Sequence, residues 1–200
     1  MRKLAAKFIA SVADVRHLPP EGPPEVAFLG RSNVGKSSLI NSLLGTKIAH
    51  ISSTPGRTQA LNFIGIYSVP GKPAPDLIFV DFPGYGYARV PRAILAEWPS
   101  FIEPYLKQRQ ALVLGVVLVD SNVPPQARDV ELIAWLRAVD RPHVILATKA
   151  DRLSRSKLPV VLRELAKTFH ADQILSYSAK TGAGQAELWR EIRSAAALRR

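Results

Sequence analysis

Eight consecutive residues, Gly30, Arg31, Ser32, Asn33, Val34, Gly35, Lys36 and Ser37, carry the spacing G-x-x-x-x-G-K-[ST]. That pattern is phosphate chemistry. Its glycines let the backbone wrap an anion so that successive N–H groups point at it, and the lysine reaches the β- and γ-phosphates. The serine offers its hydroxyl to magnesium, and the N-terminus of the helix that follows adds partial positive charge. A second stretch, Asp81-Phe82-Pro83-Gly84, follows the apolar run Leu77–Val80. A carboxylate that ends a strand beside a phosphate loop holds magnesium, often through a water. Gly84 leaves a backbone N–H able to approach the γ-phosphate.

Two further stretches choose the base. Thr148-Lys149-Ala150-Asp151 follows the apolar run Val144–Ala147. A carboxylate at Asp151 accepts from both the imino N–H and the exocyclic amine of guanine. Adenine presents neither donor in that arrangement and would leave the acid unpaired. Lys149 can lay its alkyl stem along the purine face, and Ser178-Ala179-Lys180 can present backbone N–H groups to the guanine carbonyl.

These residues need a scaffold that gathers strand ends. Strands are expected at 26–29, 61–69, 77–80, 112–120, 144–148 and 173–178, several as near-continuous apolar runs. Such runs suit strands covered on both faces. Helices are expected at 36–44, 92–108, 125–138, 157–169 and 185–198. This alternation predicts an α/β fold, a three-layer αβα domain with a mostly parallel six-stranded sheet. The turn cluster "VPGKPAP" is too short for a crossover helix, so the second strand should be the single antiparallel one. Residues 1–24, ending in the Pro-rich "LPPEGPP", are expected to be an arm packed on the domain, and 25–200 the nucleotide-binding domain.

Composition narrows the class. Two hundred residues with 47% hydrophobic and 22% charged side chains suit one folded domain. With no cysteine there is no disulfide, thiolate nucleophile or Cys-based zinc site, and the four histidines lack ligand-like spacing. The net charge of +11 is uneven: residues 1–75 hold nine Lys/Arg against three Asp/Glu, and 152–200 hold ten against four. A surplus at both chain ends favours a polyanionic partner. No basic amphipathic stretch or lipidation signal points to membrane, and the apolar patch Phe8–Ala13 is shorter than the ~7–15 residues of a signal-peptide core. The expectation is a cytoplasmic protein.

Taken in order, GRSNVGKS, "SSTPGRTQALNF", DFPGYG, TKAD and SAK resemble the translation-factor class of GTPases with a Ras-like fold. More narrowly, "PEVAFLGRSNVGKSSLINSLLG", "TPGRTQALNF" and "VDFPGYGYA" resemble the EngB (YihA/YsxC) family of bacterial ribosome-assembly GTPases. The resemblance implies GTP/GDP and Mg2+ binding. It implies a role in maturing the large ribosomal subunit with its rRNA, and a need in cell division and septation. No DNA partner is expected, and a monomer is. It implies that Thr58 joins Ser37 on magnesium, with Asp81 as third metal residue, and that Gly56, Arg57, Thr58, Gln59 and Ala60 form a nucleotide-contacting loop. Phe82, Pro83, Ala150 and Tyr177 fall within the nucleotide-contacting stretches. Thr148 stands where the wider superfamily usually has Asn, a residue that can tie the base loop to the phosphate loop, so lower affinity is an expectation.

Lys36, Thr58, Gly84 and Asn33 are the candidate catalytic set. Tyr85 stands where many nucleotide hydrolases place a water-orienting Gln, and a phenol cannot match that amide's simultaneous donor and acceptor contacts. Slow intrinsic hydrolysis is therefore expected. Asn33 admits two readings: a side-chain carbonyl that helps hold K+ against the phosphates, as in potassium-activated bacterial GTPases with the same Asn, or simply a residue tolerant of an unusual backbone angle. Arg57, Arg89 and Arg92 flank the switch loops, where the readings are plain solvation, contact with RNA phosphate or, least favoured, an arginine finger in cis. Tyr85 and Tyr87 can stack on an unpaired base, with packing within the switch the safer reading. Rival readings are an ATP-dependent kinase or ATPase, which Asp151 argues against, and a division regulator that binds protein and rarely turns nucleotide over.

Overall fold

Glu25–Gly30 and Leu77–Asp81 are buried at every position, as strands covered on both faces must be. They lie side by side, in parallel, at the centre of the sheet. The computed structural model describes residues 4–49, 60–86 and 100–198. Its strands are β1 (Ala5–Val12), β2 (Glu25–Gly30), β3 (Leu61–Tyr67), β4 (Leu77–Asp81), β5 (Leu112–Asp120), β6 (His143–Thr148) and β7 (Leu175–Ser176). They form one seven-stranded sheet in the order β1-β3-β4-β2-β5-β6-β7. β3 runs antiparallel to both of its neighbours, while β4, β2, β5, β6 and β7 are mutually parallel. The turn joining β3 to β4 is the expected hairpin, held by Asp76, whose Oδ2 accepts from the Ser68 N–H and hydroxyl at 2.8 Å each.

The helices are α1 (Lys36–Leu44), α2 (Ile102–Gln108), α3 (Ala127–Ala138), α4 (Lys157–Thr168) and α5 (Gln185–Ala197). In α1 the apolar residues Leu39, Ile40, Leu43 and Leu44 recur on one face and are all buried. Gly45 then ends the helix, donating its N–H to the Asn41 carbonyl. Two apolar clusters cover the sheet. One gathers Ile40 and Leu43 of α1 with Leu188, Trp189 and Ile192 of α5; the other gathers Leu106 of α2, Ile133 of α3 and Leu165 of α4. That is the three-layer αβα arrangement.

Two sequence expectations change. The sheet has seven strands rather than six, because residues 5–12 of the supposed arm form β1, paired antiparallel with β3. Its burial pattern explains why pattern reading passes over it: an edge strand covers little, and Phe8 and Ile9 stay 54% and 39% exposed. The remainder of the segment is pinned to the domain. The Pro19 carbonyl accepts from Arg109 Nη2 at 2.8 Å and Glu21 from the Ala111 N–H at 2.7 Å. Arg109 also pairs with the fully buried Glu25 at 2.6 Å, and Tyr105 donates to the same carboxylate at 2.5 Å. The helix expected from Arg92 is seen from Ile102; residues 91–99 lie outside the described residues.

Candidate functional site

β2, β4, β5 and β6 all end at the same edge of the sheet, where the crevice of a parallel sheet takes its ligands. The loop from β2 to α1 brings Lys36 there, 9% exposed, with Nζ donating to the Gly30 carbonyl at 3.1 Å. Burial pulls the Lys36 amine below its ordinary range, and the Asp81 carboxylate opposes that shift. Asp81, at the end of β4, is also buried, and burial raises its carboxyl to about 6 against the pull of Lys36. Its Oδ1 has no hydrogen-bond partner among the described residues. A buried acceptor without a partner is costly, and a hard cation satisfies it. With the half-buried Ser37 hydroxyl at the start of α1, the donors present are the oxygen donors that magnesium takes. Thr58, with Gly56, Arg57 and Gln59, lies outside the described residues, as do Tyr87, Arg89 and Arg92. Ala60 leads directly into β3.

The 81–85 loop is clamped onto the phosphate loop. The Phe82 N–H donates to the Phe28 carbonyl at 3.2 Å, and the Ser32 N–H donates to the Tyr85 carbonyl at 3.1 Å. Between them, Gly84 rests against Ser32 so closely that a Cβ there would lie 2.9 Å from the Ser32 Cα and N. Glycine is thus required first by the phosphate loop itself. Phe82 and Val34 turn their side chains into the core, and Phe82 packs edge-on against Tyr105 at 5.6 Å, so their share in ligand binding is confined to backbone. Pro83 is buried beside them. Tyr85 faces away from the phosphate loop's ligand side. Its ring is 1% exposed and its hydroxyl donates to Asp129 Oδ1 at 2.8 Å. Packing and the bond to Asp129, rather than base stacking or water positioning, are what this side chain makes in the structure.

Asn33 has a left-handed backbone (φ 62), a conformation this residue type tolerates better than most. Its main-chain carbonyl accepts from Lys149 Nζ at 2.9 Å, while its side chain is exposed. Lys149 also donates to Asp120 Oδ2 at 2.6 Å. Burial would raise the Asp120 carboxyl, but hydrogen bonds from Lys149 and Asn122 outweigh it and hold the group below its usual range. Thr148 revises one expectation. Its buried hydroxyl donates to the Val34 carbonyl at 2.8 Å, so this threonine itself makes a tie between base loop and phosphate loop of the kind an Asn can make. Asp151 is exposed, and its Oδ1 accepts from the Ser178 hydroxyl at 2.7 Å. That bond keeps the carboxyl below its ordinary range, ionised and ready to accept. The Ala150 N–H donates to the Tyr177 carbonyl at 3.1 Å, joining the two base loops. The Tyr177 hydroxyl points instead to Ser42 Oγ at 3.0 Å.

The base loops face a cavity of about 690 Å³, lined by Thr148, Lys149, Asp151, Arg152, Tyr177, Ala179 and Lys180 together with Gly35, Ser38, Leu39, Asn41, Ser42 and Lys47. Its size is that of a small-molecule site. Asp120, Ser121 and Asn122 are functional neighbours that the motif reading missed: Ser121 Oγ donates to the Thr148 carbonyl at 2.7 Å and Asn122 Nδ2 to the Lys149 carbonyl at 3.1 Å. Their signal was available, since they end a long buried strand at the ligand edge.

Residues 25–149 match a family model described as "50S ribosome-binding GTPase". The chain is 54% identical over 194 residues to "Probable GTP-binding protein EngB" of Koribacter versatilis, covering 97% of this chain and 95% of that one. It is 52% identical over 191 residues to the protein of the same description in Acidobacterium capsulatum, covering 96% and 90%. Among solved structures it is similar to Era in complex with MgGDPNP and nucleotides 1506–1542 of 16S ribosomal RNA, with TM-score 0.66, 26% identity, and 86% of this chain and 56% of that chain covered. The fold is likewise similar to that of a probable GTP-binding protein engB, with TM-score 0.65, 24% identity, and 86% and 98% covered.

Proposed function

We infer the function from one premise: the chain belongs to the EngB family of GTP-binding proteins, P-loop GTPases of Ras-like fold. We propose that it is a slow, Mg2+-dependent GTPase that acts as a switch in assembly of the large ribosomal subunit. The buried Asp81 oxygen beside Lys36, which has no hydrogen-bond partner among the described residues, is the observation that carries the reading. Ser37 and Asp81, with Thr58 joining them in the GTP state, are the residues that would hold magnesium. The ion supplies charge neutralisation at the β- and γ-phosphates. Lys36 adds its ammonium to those phosphates, and the loop amides with the α1 N-terminus bind the equatorial oxygens. The Gly84 N–H would meet the γ-phosphate. Asp151 selects guanine, held for that task by Ser178, and Thr148 and Lys149 brace the base loop on the phosphate loop. Tyr85 contributes no chemistry, which is why free-protein hydrolysis should be slow, at roughly 10⁻⁴–10⁻³ s⁻¹ like unassisted small GTPases. The exposed Asn33 side-chain carbonyl is the candidate ligand for an activating K+.

The partner is the large subunit and its rRNA. The description of the matching family supports the large subunit, while the 16S ribosomal RNA bound to Era and the net charge of +11 support an RNA partner only in general. The setting is cytoplasmic and the protein monomeric, with a family-implied role in cell division and septation. Sedimentation with large subunits in GDP or a nonhydrolysable GTP analogue tests it. Co-sedimentation that requires the analogue and disappears at high salt is expected, because docking on phosphates is counterion-dependent. Absence of co-sedimentation in both nucleotides would favour the second reading, a nucleotide-bound division regulator acting by protein binding with little turnover.

A further inference from the structure

The loop that carries Asp81 and Gly84 is not held by the phosphate loop alone. At its far end the Tyr85 side chain plunges into the core cluster beneath α3, and its hydroxyl meets Asp129 in the first turn of that helix. Asp129 is itself only 3% exposed, an unusual position for a carboxylate in a chain that has surface to spare for one. The backbone of the same tyrosine is joined to the phosphate loop: Tyr85 pairs with Arg31 in an isolated parallel bridge, and its carbonyl accepts from Ser32. The Arg31 side chain runs across Gly86, Nε lying 3.2 Å from where a Cβ would stand. One residue therefore connects α3, the magnesium-carrying loop and the phosphate loop. Its neighbour Gly84, wedged on Ser32, has no slack of its own.

We propose that Asp129 is a positioning residue of the GTPase centre, fixing the 81–85 loop through the Tyr85 hydroxyl so that the Gly84 N–H and the Asp81 carboxylate stand in register with the phosphates. The proposal rests on the GTPase reading above. Asp129 touches neither nucleotide nor metal; it acts through Tyr85. The physical basis is the cost of the alternatives. If the loop drifts, the phenol and carboxyl lose each other inside the core, where neither finds water. The loop is thereby given one energetically preferred position. Burial raises the Asp129 carboxyl to about 6, and the Tyr85 hydrogen bond and the charge of Arg31 hold it from rising further. Asn removes the charge but keeps an acceptor oxygen for the phenol, which is all the bond from Tyr85 requires.

Single-turnover GTP hydrolysis and GDP affinity are measured for wild type, Asp129→Ala, Asp129→Asn, Tyr85→Phe and the double variant Asp129→Ala/Tyr85→Phe. Asp129→Ala and Tyr85→Phe should each slow hydrolysis three- to tenfold, with GDP affinity within twofold of wild type. Asp129→Asn should restore the rate to within twofold. The double variant should be no slower than the slower single one, since both remove the same link. Wild-type rates in Asp129→Ala, or losses that multiply in the double variant, would overturn the proposal. So would a parallel fall in GDP affinity that Asn fails to rescue, the behaviour of a residue needed only for folding. If wild-type protein binds GTP and never cleaves it, the GTPase reading fails instead.

Discussion

Thr148 and Val34 stand 114 residues apart in the chain, yet the threonine hydroxyl donates to the valine carbonyl at 2.8 Å. The bond fastens the loop after β6 to the phosphate loop, so on the proposed function the two halves of a nucleotide would meet one braced surface. The first prediction follows from it. Thr148→Val keeps the shape, removes the donor and leaves a buried carbonyl without this partner, at a cost of about 1–3 kcal/mol. The melting temperature should fall by about 2–4 °C per kcal/mol in a chain of this size, and GDP affinity should fall with it. Unchanged melting and unchanged GDP affinity would show that the bond does not brace the site.

Asp151→Asn should weaken guanine discrimination, because the new amide donates where an acceptor is required. The loss should be on the order of 1–3 kcal/mol in preference for GDP over other purine nucleotides. The Ser178 hydroxyl, which now donates to Asp151 Oδ1 at 2.7 Å, still finds an acceptor in the amide oxygen. The fold should therefore survive. Competition binding checks it, and undiminished selectivity would remove Asp151 from the base site.

Ser37→Ala and Thr58→Ala should part company. On the proposed function Ser37 would serve magnesium in both nucleotide states, whereas Thr58 would do so only with the γ-phosphate bound. Magnesium-dependent GDP binding should weaken in Ser37→Ala and be largely spared in Thr58→Ala. Titrating Mg2+ against GDP release separates the two, and equal damage would contradict the switch role of Thr58.

Asp129 makes a prediction about pH. Its folded-state carboxyl titrates near 6, above its ordinary 3.8, because burial favours the neutral acid. Between those values the folded protein binds more protons at this site than the unfolded chain, so this group's contribution to stability falls as pH rises, and the loss is complete above about 6. Asp129→Asn cannot titrate. The stability of wild type relative to that variant should thus decline from pH 4 to pH 6 and then level off. Denaturant unfolding at pH 4.5 and 7 tests it, and a difference independent of pH would mean that Asp129 titrates normally.

Much of the site was legible because its chemistry is local. GRSNVGKS is strand end, loop and helix start in one unbroken stretch, and the same holds for Asp81 after β4 and Asp151 after β6. Hydrophobic runs and turn residues place such segments without knowledge of their neighbours, and α1 begins and ends where its periodicity says. β1 escaped because an edge strand needs no strong pattern: one side is paired with β3 and much of the rest faces water. The side-chain links escaped for a different reason. Tyr85 and Asp129 are separated by 44 residues, and Lys149 and Asn33 by 116. No periodicity encodes a contact at such a separation. By itself the sequence determined which residue types stand at the strand ends, with the chemistry for phosphate, magnesium and guanine that the proposal assigns them, since those follow from residue type and the nearest few neighbours. Only the tertiary structure decided which partners hold them, because packing the sheet between two helical layers sets what a buried hydroxyl or carboxylate can reach.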